Sequence, residues 1–328
     1  MITLPRTFFA HLPTPLELAP RLSSALGGPN IYIKRDDQTG LAFGGNKTRK
    51  LEFLIAEAQS QGAKMLITAG AVQSNHCRQT AAAAARFGFK CIVVLSGEKP
   101  DRYTGNLLLD HLFGAQIVWV QRKDRYKIFE QTFQKAWEEG HRPYKIPYGG
   151  SNPTGAAAYT LAMQELLEQC RAMSLPKTDW IVLASSSGGT QAGLVAGAHF
   201  FDFQGKILGI SVDDTPQILQ NRVALLASQT AELLGEPYSF SDTNVLVNSD
   251  YRGAGYGIMG EVEQEAIQLF AKTEGLLLDP VYTGRAAAGL IDLVRKGTIQ
   301  PHENVIFWHT GGGPALFAER YQDQLTLN

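Results

Sequence analysis

Cysteine is scarce: Cys77, Cys91 and Cys170 are three in 328 residues, an odd number with no C-x-x-C spacing. That excludes a disulfide framework and a thiolate metal site, and leaves reduced, partly buried thiols as the expectation. The seven histidines are dispersed, with no H-x-x-x-H pair, so no metal site is expected. Neither sign of charge is in excess, since 30 Lys and Arg face 31 Asp and Glu for a net charge of −1. Without a basic stripe, nucleic acid and anionic membranes are not expected partners, and a small molecule is. No apolar run has the length of a membrane helix, and Pro5 and Arg6 interrupt any leader-like pattern at the N-terminus, so a cytoplasmic location is expected.

What is present is the composition of an ordinary globular protein, 44% hydrophobic and 19% charged. The length suits about two hydrophobic cores. After the constrained turn Pro13-Thr14-Pro15, residues 16–26 carry apolar side chains at helical spacing, and a strand is expected at 31–34. Gly44-Gly45 turn the chain into a helix that begins at Lys47 and is closed by Gly62. From Met65 the pattern alternates, with strands expected at 65–69, 91–95, 116–120 and 144–146 and helices between them. Parallel strands need crossover connections, so the alternation predicts βαβ units. Turn-forming residues concentrate at 148–155, where the chain is expected to leave this unit. Further strands are expected at 180–184, 207–212, 245–247 and 305–308, and at 276–278 as a short apolar strand buried on both faces. The expected fold class is α/β with two domains, each an open, mainly parallel sheet flanked by helices. Residues 1–46 and 151–328 form the large domain, and 47–150 a small domain inserted in it.

The candidate site residues all follow strands, where ligands of open parallel sheets bind. Lys47, taken alone, reads as a solvated lysine, and its setting changes that. At a helix start its amine is aimed by the backbone, and burial together with the positive helix end favours the neutral form that attacks a carbonyl. The loop Ser185-Ser186-Ser187-Gly188-Gly189-Thr190 is either a tight turn or a seat for a small phosphate, because free N–H groups at a helix start suit an anion. It lacks the lysine of a Walker loop and the G-x-G-x-x-G spacing of a dinucleotide fold. In Gln73-Ser74-Asn75-His76 the polar side chains either cap a helix or hold a substrate carboxylate, and His76 lies on the surface or lines the cleft. Tyr256 and Tyr282 are core tyrosines or phenols that shuttle a proton to a leaving group. Thr310 begins a turn or meets a pyridine nitrogen.

Four motifs in order, Phe43-Gly44-Gly45-Asn46-Lys47, Gln73-Ser74-Asn75-His76, Asp279-Pro280-Val281-Tyr282-Thr283-Gly284 and His309-Thr310-Gly311-Gly312, carry a resemblance along nearly the whole chain. The sequence resembles the D-cysteine desulfhydrase and 1-aminocyclopropane-1-carboxylate deaminase family, pyridoxal 5′-phosphate enzymes of the tryptophan-synthase-β-like fold. The resemblance implies that Lys47 carries the cofactor covalently, that Asn75 neighbours its 3′ oxygen, and that Ser187, Gly188, Gly189 and Thr190 cradle its phosphate. It places Ser74, Tyr256 and Tyr282 on the substrate side; Gln73, Asn75, His76 and Thr283 are further candidates for substrate contact, and Thr310 is the candidate at the cofactor ring. It implies a homodimer acting on a small amino acid. The deaminase branch has a glutamate after the D-P-V-Y tyrosine and a leucine before the last glycines, where this chain has Thr283 and Thr310. The expected activity is therefore elimination from D-cysteine to pyruvate, sulfide and ammonia. The alternatives are sulfite release from L-cysteate, cyclopropane-carboxylate deamination, and a non-enzymatic pyridoxal-phosphate or amino-acid binding module.

Overall fold

The computed structural model describes residues 2–175 and 177–326. Its strands form two sheets. The first contains β1 (Leu16–Leu18), β2 (Asn30–Arg35), β7 (Trp180–Ser185), β8 (Lys206–Ser211), β9 (Leu246–Asn248) and β10 (Asn304–His309), in the order β1-β2-β10-β7-β8-β9. The second contains β3 (Met65–Ala71), β4 (Lys90–Ser96), β5 (Gln116–Val120) and β6 (Pro143–Lys145), in the order β5-β4-β3-β6. Only β1 against β2 is antiparallel; β10 runs parallel to both β2 and β7, so the first sheet presents several carboxyl ends on one side.

Helices cover both sheets: α1 (Pro20–Ala25), α2 (Asn46–Ser60), α3 (Asn75–Phe87), α4 (Gly105–Leu112), α5 (Arg125–Glu138), α6 (Pro153–Ala172), α7 (Gly189–Phe200), α8 (Pro216–Leu233), α9 (Glu261–Glu274), α10 (Thr283–Arg295) and α11 (Glu319–Thr326). Each sheet has an apolar cluster on either face, as parallel sheets require. No described helix is long and apolar enough to cross a membrane.

Two local expectations are corrected. The apolar spacing over residues 16–26 is split, because Leu16–Leu18 pair with Tyr32–Lys34 and Pro20 then opens a helix of only six residues. Residues 276–278 form no strand: Leu276 and Leu278 are buried but Leu277 is 55% exposed. An extended link anchored by two leucines reproduces the apolar signal of a strand without a partner to pair with.

A buried charge cluster ties α2 to the first sheet. Asp36, at the end of β2, receives Arg49 Nη2 at 2.8 Å, Tyr159 Oη at 2.6 Å and Trp308 Nε1 at 2.8 Å. Burial alone would raise the Asp36 carboxyl, but the charge and hydrogen bonds of Arg49, with Lys34 behind them, hold it below its ordinary value. Arg49 also reaches both oxygens of Glu165, at 2.8 and 2.9 Å. Strand end, α2, α6 and β10 thus meet at one carboxylate, two residues along α2 from Lys47.

Candidate active site

Lys47 is placed by a loop that only glycine can form. Gly44 and Gly45 have φ of 63° and 121°, and a Cβ on Gly44 would stand 2.0 Å from the Asp37 carbonyl oxygen. Arg78 Nη2 and Gln79 Nε2 of α3 both donate to the Gly44 carbonyl, the former at 2.8 Å. The Gly45 N–H donates to Thr39 Oγ1 at 2.8 Å, and that of Asn46 to the Thr310 carbonyl at 3.0 Å. The helix start is thereby tied to α3 and to the loops after β2 and β10, and Lys47 lines an inner cavity that shares Tyr148, Ser186 and Ser187 with a larger cleft of about 1010 Å³. Burial lowers its amine from 10.5 to about 8. No carboxylate among the described residues offsets that shift.

Opposite Lys47 lies the start of α7. Gly188 takes φ +85° at the cap position with no side chain capping it, and the Gly189 N–H donates to Ser151 Oγ at 3.2 Å, which leaves the N–H groups of Thr190 and Gln191 to an anion. The space in front of them is edged by polar atoms. A Cβ on Gly189 would meet Ser151 Oγ at 2.5 Å and Lys50 Nζ at 2.8 Å. Ser187 Oγ is 2.8 Å from Ser151 Oγ, and Thr190 Oγ1 accepts from Asn46 Nδ2 at 2.9 Å. Lys50 is almost fully buried, with only weak donation to the Gly149 carbonyl at 3.2 Å and Ser151 Oγ at 3.4 Å. Burial, aided by the charge of Lys47, pushes its amine well down. A buried amine without a counter-ion beside a helix N-terminus, with a gap only glycine leaves open, fits a phosphate. None of Lys50, Ser151 and Asn46 is a site candidate on sequence grounds alone. The signal for Lys50 was its spacing: three residues after Lys47, it returns to the same helix face.

The third wall is α3. Ser74 caps it, its Oγ accepting from the Cys77 N–H at 3.1 Å, and still lines the inner cavity with Asn75 and His76. Asn75 is oriented by Asn106 Nδ2, which donates to its Oδ1 at 2.8 Å. His76 is buried rather than on the surface. Its Nε2 lies 2.9 Å from Thr68 Oγ1, and burial with the charges of Lys47 and Lys50 pushes its pKa far down, so the ring is neutral. Gln73 lines the outer cleft, and its amide oxygen and nitrogen are engaged by the Asn106 N–H and the Thr104 carbonyl.

The fourth wall carries the phenols. Asp279 accepts the N–H groups of Val281, Tyr282 and Thr283 at 3.0, 3.0 and 2.8 Å, which fixes the turn presenting Tyr282. Tyr282 Oη is 2.5 Å from Tyr256 Oη. Burial raises both phenols well above their ordinary value, so both remain protonated. Tyr282 and Thr310 line the inner cavity and Tyr256 the cleft. Thr283 does not line either; its hydroxyl donates to Asp279 Oδ1 at 2.8 Å and accepts from the Asp279 N–H at 2.8 Å. Among the described residues no group of three or more His, Cys, Asp and Glu is placed to hold a metal.

Comparison with known proteins gives three findings. Residues 7–311 match the family model described as pyridoxal-phosphate dependent enzyme. The fold is similar to the crystal structure of an ACC deaminase homologue, with a TM-score of 0.88 and 37% identity over 98% of this chain and 96% of that one. It is also similar, at 17% identity and a TM-score of 0.68, to the processed form of threonine deaminase isoform 2 from Solanum lycopersicum, over 97% of this chain and 83% of that one.

Proposed function

The chain belongs to the pyridoxal-phosphate-dependent enzymes, in their tryptophan-synthase-β-like α/β fold, and from that premise we propose that it is a lyase removing the β-substituent of a small amino acid, with D-cysteine as the leading substrate. The cofactor is pyridoxal phosphate. When bound, it supplies an electron sink for negative charge at the substrate α-carbon.

The observation that carries the reading is the pairing of Lys47, with its amine lowered to about 8, with the Ser187–Thr190 seat across the same cavity. Lys47 would hold the cofactor through its amine and would serve as the base for the substrate α-proton. The helix α7 N–H groups, Ser187, Ser151 and Lys50 hold the phosphate. Ser74 and the first N–H groups of α3 hold the substrate carboxylate, and Asn106 orients Asn75 beside it. The Tyr282 and Tyr256 pair, protonated and in short contact, delivers a proton to the leaving group.

Thr310 supports the D-cysteine choice, since a neutral hydroxyl in the cavity does not enforce protonation of the cofactor ring in the way a carboxylate would. The likeness to an ACC deaminase homologue supports a second reading, deamination of 1-aminocyclopropane-1-carboxylate. A panel of D-cysteine, L-cysteine, L-cysteate, D-serine and 1-aminocyclopropane-1-carboxylate, read as keto-acid formation, separates the two. Sulfide and pyruvate from D-cysteine alone support the proposal, and turnover of the cyclopropane substrate alone overturns it.

A further inference from the structure

Arg125 is the first residue of α5 and lines the outer cleft from the side of the second sheet. Its guanidinium carbon stands 4.5 Å from the centre of the Tyr148 ring, and Nη1 makes a long contact of 3.4 Å to Ser96 Oγ. Among the described residues no carboxylate pairs with it. Arg222, in the same cleft, is by contrast occupied by Asp214 Oδ2 and the Ser186 carbonyl, both at 2.7 Å. Most of the five donors of Arg125 are therefore free for a ligand.

Its position matters because Tyr148, the ring it covers, lines both the cleft and the inner cavity that holds Lys47. Ser96 Oγ donates at 3.1 Å to the carbonyl of Gly70, in the strand that feeds the Gln73–Asn75 loop. Arg125 and the Lys47 cavity are thus connected through one shared wall, the Tyr148 ring. Arg102 and Arg122 on the same rim are exposed, as are Glu98 and Glu319, so the cleft mouth carries both signs of charge. A half-buried guanidinium without a counter-ion, whose planar fork matches two oxygens, recognises an oxyanion.

We propose that Arg125 is a specificity-determining residue that binds an oxyanion on the substrate side chain, so that the site prefers amino acids bearing a sulfonate or carboxylate there to their neutral isosteres. The proposal rests on the lyase reading above and departs from it in the leading substrate: D-cysteine carries no side-chain oxyanion, so the preferred substrate becomes an amino acid with a β-sulfonate or carboxylate. With a β-sulfonate, Lys47 takes the α-proton, the Cβ–S bond breaks with its electron pair leaving on sulfite, and one water releases ammonia and pyruvate from what remains.

The test is calorimetric titration of the holoenzyme with aspartate and asparagine, a charged and a neutral side chain of equal size, in both enantiomers, with alanine as the control for an intact site. Aspartate is expected to bind about tenfold or more tightly than asparagine, a ratio that Arg125→Gln erases and Arg125→Lys partly restores. Equal affinities in the unaltered protein, or a ratio that survives Arg125→Gln, overturn the proposal. Keto-acid formation is assayed in parallel. Absence of turnover with every substrate, while the aspartate preference persists and responds to Arg125→Gln, sinks the lyase reading and supports the anion site.

Discussion

Lys50 stands one helical turn beyond Lys47 on α2, and the two amines address one site: Lys47 lines the inner cavity, and Lys50 Nζ lies 3.2 Å from the Gly149 carbonyl at the proposed phosphate seat. Burial lowers both, Lys50 further because Lys47 adds its charge. With no carboxylate partner among the described residues, the pair is unfavourable in the free protein and becomes favourable when a phosphate arrives.

That asymmetry gives a test with opposite signs in two states. Lys50→Met removes a buried amine that has no counter-ion, so the cofactor-free protein is expected to melt at a higher temperature than the unaltered one. Cofactor affinity is expected to fall about tenfold or more, since a charge-assisted contact to phosphate is lost. Thermal melts with and without pyridoxal phosphate measure both. A cofactor-free variant that melts lower, with unchanged affinity, assigns Lys50 to the fold instead.

The pH dependence of Lys47 follows from its direction of shift. Its folded value is about 8 against an ordinary 10.5, so the amine is mostly neutral above about 8. The rate at which cofactor-free protein captures pyridoxal phosphate, followed by absorbance, is expected to climb with pH and level off near 8. A rate still climbing at pH 10 contradicts the burial. Because the folded state holds its proton less tightly than the unfolded one, the penalty for burying the ammonium is full below about 8 and vanishes as pH rises to 10.5, so cofactor-free stability rises across that window. Lys47→Ala should lose elimination by roughly a thousandfold, the scale of a missing general base.

How much of this was readable in advance depends on how local each feature is. The Gly44-Gly45 turn into a helix is written in consecutive residues, so the placement of Lys47 at a helix start was legible. The phosphate seat was half legible, because Ser187 to Thr190 are contiguous whereas Lys50, Ser151 and Asn46 arrive from distant segments that only the fold brings together. Arg49 and Asp36 look like solvated charges in a sequence, and nothing local shows that they are buried against each other. Thr283 stands beside Tyr282 in its motif, yet its hydroxyl belongs to Asp279. Its influence on chemistry therefore runs through the turn that presents Tyr282.

The Tyr256 and Tyr282 hydroxyls, 2.5 Å apart, should act as a unit. Tyr282→Phe, which removes the phenol lining the inner cavity, is expected to lower kcat by about a hundredfold with little change in KM, within the range for a lost general acid. Tyr256→Phe should have a smaller effect, because its hydroxyl serves through its neighbour. The double variant is expected to be no slower than Tyr282→Phe alone, since residues that share one proton path are not additive. Multiplicative losses in the steady-state constants of the four proteins would show two independent roles.

The cluster around Asp36 sets the orientation of α2 and hence of Lys47, and its removal should be felt in stability first. Arg49→Met leaves the buried Asp36 carboxylate and the two Glu165 oxygens without their shared cation, a loss on the order of 3–5 kcal/mol for breaking a buried pair. Asp36 has a folded pKa held below its unfolded value, so its contribution is complete above the unfolded value of 3.8 and is lost as pH falls through the folded one. Denaturant unfolding at pH 7 and at pH 3 should therefore show the variant and the original protein drawing closer in acid. If Arg49→Met unfolds with the same midpoint as the original at pH 7, the cluster contributes no net stability, and the alignment of Lys47 rests on Gly44, Gly45 and the Thr310 carbonyl alone.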